Sequence, residues 1–247
     1  PDGQFIRLPD SHTLWGAGSY EGMFQEGFFL NDLYMYAAQG VINYHDSDFR
    51  VDVCPYEGGS DHSRFLAQNV PALLTWHFTD YTYHSSVDTL NMSSAREMEN
   101  VSITTMATAL MIANATDGNE ALALEILGTV MMAALDRFDM EQTDTETPGI
   151  YTLAHGKDFT AALANEKEVL QAWADWYKEA LASPAEYLLD APSQIYRDTQ
   201  AELLDLLEQR LALALACADE YLQDEVTHTG LVKIDAAAPT FSEPGNI

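Results

Sequence analysis

The chain has 247 residues, 47% apolar and 11% aromatic, enough for one large domain or two ordinary ones with a real core. Its 39 acidic against 11 basic side chains give a formal net charge of −28, a field that repels nucleic acid and anionic membranes. No apolar run reaches the length of a membrane span, so none is expected.

The acid excess is uneven. Residues 1–115 hold 14 acids and 4 bases, a net of −10, and residues 116–247 hold 25 acids and 7 bases, a net of −18. A solvated acidic surface, as in a salt-adapted protein, is the ordinary reading; attraction of cationic substrates is the sharper one. Cys54 and Cys217 fit no zinc-ribbon or redox spacing and are expected to be buried free thiols. The sequence opens at Pro1 with neither Met nor signal peptide. A removed leader or a segment of a longer protein both fit, and the residues below favour the second.

Residues 1–27 are rich in Gly, Pro and polar groups and read as loops, with a short strand near Gln4 to Leu8. Phe28 to Gln39 has helical apolar spacing, and Gly40 offers a stop. Val41 to Tyr44 and Phe49 to Val53 read as a strand and its continuation. Tyr56 to Ser63 is a Gly-containing loop leading into a short helix over Ser63 to Gln68. The apolar run Val70 to Trp76, fenced by polar residues, predicts a buried strand. Thr79 to Asn91 is a long polar loop. Ser94 and Glu97 form a capping-box pattern, and a helix with apolar residues at Val101, Ile103, Met106, Leu110 and Ile112 should run to about Asn114. A domain boundary is expected between Asn114 and Glu120. Beyond it Ala, Leu and Glu dominate, with helices at about 119–138, 158–182 and 194–224 and a short one near 184–190 started by Pro184. This half predicts an antiparallel helical bundle with an extended tail after Gly230.

The residues able to carry chemistry cluster around the apolar run. His84, at the end of the polar loop, is of the type most often found on zinc, although a lone loop histidine is ordinarily structural. Asp88 could orient a ligand or cap a turn. Asp61 and His62 are neighbours that point different ways, so they cannot form one dyad. His45, Asp46 and Asp48 read as a solvated turn. Trp76, Phe78, Tyr81 and Tyr83 could wall an apolar pocket, with core packing the alternative. No G-x-S-x-G elbow, Walker loop, G-x-G-x-x-G or H-E-x-x-H is present.

Three blocks then stand in order: Ser60-Asp61-His62, Asn69-Val70-Pro71-Ala72, and Tyr83-His84-Ser85-Ser86-Val87-Asp88-Thr89-Leu90, followed by a long helix. Together they resemble the C-terminal part of the catalytic domain of the zinc aminopeptidase family that includes bacterial leucyl aminopeptidases, glutaminyl cyclase and glutamate carboxypeptidase. The resemblance covers roughly residues 1–114 and is specific over 57–114. It implies an α/β fold, a phosphorylase/hydrolase-like mixed sheet between helices, present in part and followed by an all-α bundle. The domains would be 1–116, the C-terminal part of the zinc peptidase catalytic domain, and 117–247, an acidic helical domain.

The resemblance also implies a function. Two zinc ions, held by two His and three carboxylates, would activate a bridging water against the scissile carbonyl of a peptide substrate, with a Glu as general base. His84 matches a metal ligand. Ser60 and Asp61 match positions close to the ligands, and Asp88 is the candidate partner of the second His84 ring nitrogen. Phe78, Tyr81 and Tyr83 match the loop around the first substrate side chain. An extracellular or periplasmic location goes with this family. The family's adjacent Glu-Glu pair and H-x-D are absent from these 247 residues. The chain is therefore expected to begin inside the catalytic domain, with the general base and the other ligands upstream of Pro1 as its partner. Glutaminyl-cyclase-like acyl transfer and a non-catalytic binding module that has lost its metal are the alternatives.

Overall fold

The computed structural model describes residues 27–51, 60–68, 70–77, 82–83, 85–116, 118–146 and 159–228. These form helices α1 (Phe29–Tyr44), α2 (His62–Leu66), α3 (Ala95–Thr116), α4 (Glu120–Glu146), α5 (Phe159–Leu188) and α6 (Gln194–His228), with a 3-10 turn at Leu90–Met92. No strand occurs among the described residues. The expected α/β class is thus corrected: the described architecture is helical, and the mixed sheet is not found.

Two segments explain the correction. Val41 to Tyr44, expected as a strand, is the last turn of α1, and Gly40 does not stop the helix. Val41 is buried with Ala38 and Phe49, and Ile42, Val51, Val101 and Ile103 pack against them. Burial against α3 outweighs the strand preference of Val and Ile, because β-propensity mostly reports packing. Val70 to Trp76 is neither helix nor strand. A strand needs a neighbour for its backbone donors and acceptors, and the described residues supply none. The Val70 N–H instead donates to the Phe65 carbonyl at 3.0 Å, and its side chain is 46% exposed. The expected strand near Gln4 to Leu8 lies outside the described residues, as do Val53 and Cys54; Cys217 is a half-buried free thiol.

Helix α3 begins where its cap predicts. The Ser94 hydroxyl accepts from the Glu97 N–H at 3.2 Å. The helix ends at Thr116, and Gly118 adopts φ 88°, a left-handed conformation that L side chains resist. Its polarity is inverted. Asn100, Thr104 and Thr108 are buried, while Met98, Met106 and Leu110 face solvent. The two threonines return their hydroxyls to carbonyls one turn back, each at 2.9 Å, so their burial leaves no orphan donor.

The chain divides into two compact units, one of residues 1–130 with 179–200 and one of 131–178 with 201–247. The core of the first includes Phe29, Leu33, Ile126, Leu127, Leu181 and Tyr196. Its helix ends are capped across elements. Phe28, the N-cap of α1, offers no side-chain oxygen. The donors there are met by α5 instead: Gly27 N–H reaches Glu179 Oε2 at 2.7 Å and Phe29 N–H reaches Ser183 Oγ at 3.1 Å. Pro184 sits inside α5, where it cannot donate to the carbonyl four residues back, that of Ala180. The Ser183 hydroxyl donates to that carbonyl at 2.8 Å. One buried hydroxyl thus serves two backbone groups. Ser183→Ala should cost about 1–3 kcal/mol in denaturant unfolding, since both groups lose their partner. A change below about 0.5 kcal/mol, ordinary for a surface position, would contradict this role.

A second cap joins α4 and α6. Ser193 Oγ accepts from the Tyr196 N–H at 3.2 Å, and the Ser193 N–H donates to Glu120 Oε2 at 2.8 Å. Its hydroxyl donates to the other Glu120 oxygen. These bonds from Ser193 hold the Glu120 carboxyl below its ordinary pKa.

The second unit packs Phe138, Leu170, Tyr177, Leu207 and Leu211 with four small residues, Ala134, Ala174, Ala214 and Ala218. The helices expected at 119–138, 158–182 and 194–224 are each longer by several residues. The expected separate helix near 184–190 is the continuation of α5 through Pro184.

Candidate functional site

Ser60 and Asp61 begin the turn into α2. Their carbonyls accept from Ser63 N–H at 3.1 Å and Arg64 N–H at 2.9 Å, and both side chains are exposed. His62, the next residue, is buried. Asp61 and His62 therefore do point different ways, as neighbours must.

His84, Phe78 and Tyr81 lie outside the described residues. The loop on either side of His84 is described, and it folds on itself. Ser85 Oγ donates to the Thr82 carbonyl at 2.6 Å and accepts from Val87 N–H at 3.3 Å. Asp88 N–H donates to the Ser85 carbonyl at 3.3 Å, so Asp88 closes this turn through its backbone while its side chain is exposed. Tyr83 packs edge-on against Trp76 with ring centroids 5.4 Å apart. Of the aromatic residues expected to wall a pocket, these two are brought together, and Tyr83 remains 40% exposed. His77 Nε2 lies 3.1 Å from Glu97 Oε1, which ties the segment before the loop to the first turn of α3.

The first turns of α3 carry a feature that the sequence reading missed. Asp46 was expected in a solvated turn but is only 6% exposed. Arg96 grips it with both ends of its guanidinium: Nε donates to Oδ2 at 2.5 Å and Nη2 donates to Oδ1. Asn100 Nδ2 donates to Oδ2 at 2.7 Å, and the Asp48 N–H donates to Oδ1 at 3.0 Å. Hydrogen bonds from Arg96 and then Asn100 hold the Asp46 carboxyl far below the usual carboxylate range. Both oxygens are occupied, so Asp46 is not free to act as a base or metal ligand. Its effect is mechanical: it fastens the end of α1 to the helix that follows the His84 loop. The only advance signal was the adjacent acids at 46 and 48, since Arg96 is 50 residues away.

Among the described residues, no group of three or more His, Cys, Asp or Glu is placed to hold a metal ion. These residues do not by themselves fit a zinc pair, which needs several anionic ligands to offset its charge. Ser60, Asp61 and Asp88 share no hydrogen bond with one another in the described geometry. No described helix is long and apolar enough to cross a membrane. No family model, curated protein or solved structure matches the chain.

Proposed function

We propose that residues 1–116 are the C-terminal part of the catalytic domain of a zinc-dependent exopeptidase, an extracellular or periplasmic aminopeptidase that removes N-terminal residues from peptides, with residues 117–247 an added acidic helical domain. The observation that carries the proposal is the order of the three sequence blocks. Local geometry supports it: Ser60-Asp61-His62 opens the short helix α2, Val70-Pro71-Ala72 begins a non-helical segment, and Ser85 to Asp88 forms a turn before the capped helix α3. His84 is then the zinc ligand of this chain. The exposed carboxylates of Asp61 and Asp88 are available to orient it or its fellow ligands. Zinc, when bound, supplies Lewis-acid activation of water and of the peptide carbonyl.

The remaining ligands and the general base are assigned to polypeptide outside these residues, because no adjacent Glu pair or H-x-D occurs here. The inverted polarity of α3 supports an additional covering segment. Residues 100–116 hold no charged side chain, and Met98, Met106 and Leu110 are exposed. Isolated exposed apolar residues are ordinary, but the uncharged stretch 100–116 presents Met106 and Leu110 on successive turns, which suits a face made for contact.

Chelation tests the proposal. The complete protein should hydrolyse amino-acid anilides, lose that activity on dialysis against a chelator, and regain it with added zinc. Activity that survives complete zinc removal would contradict it.

A further inference from the structure

Cationic contacts join the helices of the second unit. Lys178 Nζ lies 2.8 Å from Glu208 Oε1 and Lys167 Nζ 2.5 Å from Asp219 Oδ1, joining α5 to α6. Arg210 pairs with Asp139, joining α6 to α4, and its side chain is only 15% exposed. The Arg137 guanidinium lies 4.3 Å from the Trp173 ring centroid, joining α4 to α5. Every pair among the three helices thus has a cationic contact. Against this, the described side chains of the unit number 9 acids and 4 bases, a net of −5. All three helices contribute acids: Asp136 on α4, Glu168 and Asp175 on α5, and Glu202, Asp205 and Glu220 on α6. The core contains four alanines, so apolar burial per residue is small.

We infer that this three-helix unit is an ionic-strength switch, ordered at high salt and loosened at low salt. Distance decides which electrostatic effect wins. The screening length is about 30 Å at 0.01 M and about 3 Å at 1 M salt. Neighbouring helices are about 8–10 Å apart. Repulsion between acids carried by neighbouring helices is therefore screened far less at low salt than at 1 M. The attractive contacts at 2.5 and 2.8 Å are within even the shorter screening length. Salt removes more repulsion than attraction, and the net effect is stabilising.

Hydrogen exchange of the full chain, read by mass spectrometry, tests the switch. Peptides from 164–178 and 201–220 should become more protected between 0.01 M and 1 M NaCl, and the unfolding midpoint should rise by roughly 5–10 °C. The combined replacement Glu168→Gln, Glu202→Gln, Asp205→Asn and Glu220→Gln should raise protection at low salt and flatten the response. Sucrose at matched osmolality should have a smaller effect. Exchange that is unchanged or faster in salt, an equal response to sucrose, or a combined variant with the full salt response would each overturn the inference.

Discussion

His84→Ala in the complete protein is expected to lose zinc and most of its exopeptidase activity while its helices stay intact. The expectation rests on charge and ligand number. Each zinc ion of a pair carries two positive charges and is held by a small set of ligands, so removing one imidazole opens the coordination shell. The described turn beside His84 is closed by Ser85, Thr82 and the Asp88 backbone, none of which the replacement touches. Zinc content by elemental analysis and helix content by circular dichroism separate the two effects. Asp88→Ala should be milder, on the order of 10–100-fold in metal affinity or activity, the usual loss when a partner of a ligand is removed. Full activity in His84→Ala would remove the basis of the assignment.

Asp46→Asn should clearly destabilise the first unit. It keeps the shape of the side chain but removes the charge gripped by Arg96. It also turns one acceptor into a donor among four donors, two from Arg96 and one each from Asn100 and the Asp48 backbone. Arg96 is 61% exposed and can be met by solvent, so the loss falls mainly on the buried Asn100 amide and the Asp48 N–H, which are left with a poorer acceptor. The pH dependence has a definite sign. The folded-state pKa of Asp46 is depressed, so its stabilisation is fully present above the ordinary carboxylate pKa of about 3.9 and is lost as pH falls below it. Denaturant unfolding should therefore show a large gap between wild type and Asp46→Asn at pH 7. That gap should narrow as pH falls from about 4 downward. A gap independent of pH would mean that the charge is not what holds α1 to α3.

The residues that could be read in advance were those whose partners are close in sequence. Ser94 and Glu97 announced the start of α3, because an N-cap is a local event. The Ala, Leu and Glu content of the second half likewise announced long helices. The errors arose where a distant partner decides. Val41 to Tyr44 has strand-like residues, yet Phe49 and Val101 bury Val41 as part of a helix. Val70 to Trp76 has the composition of a buried strand but finds no neighbouring strand among the described residues. Asp46 looked like a solvated turn because its Arg96 partner is far along the chain. Pro184 looked like a helix start, but the Ser183 hydroxyl meets the carbonyl that the proline leaves without its usual donor, so α5 continues. At the site, the polar loop around Thr82 to Asp88 was legible from its composition, while its turn contacts were not.

The central claim is that His84 binds zinc, and anomalous diffraction at the zinc edge tests it most directly. Crystals of the complete protein should show two zinc peaks, one of them about 2.0–2.1 Å from a ring nitrogen of His84. The other ring nitrogen should donate to a carboxylate or a backbone carbonyl. Zinc peaks held entirely by other residues, with His84 remote from both, would contradict the account.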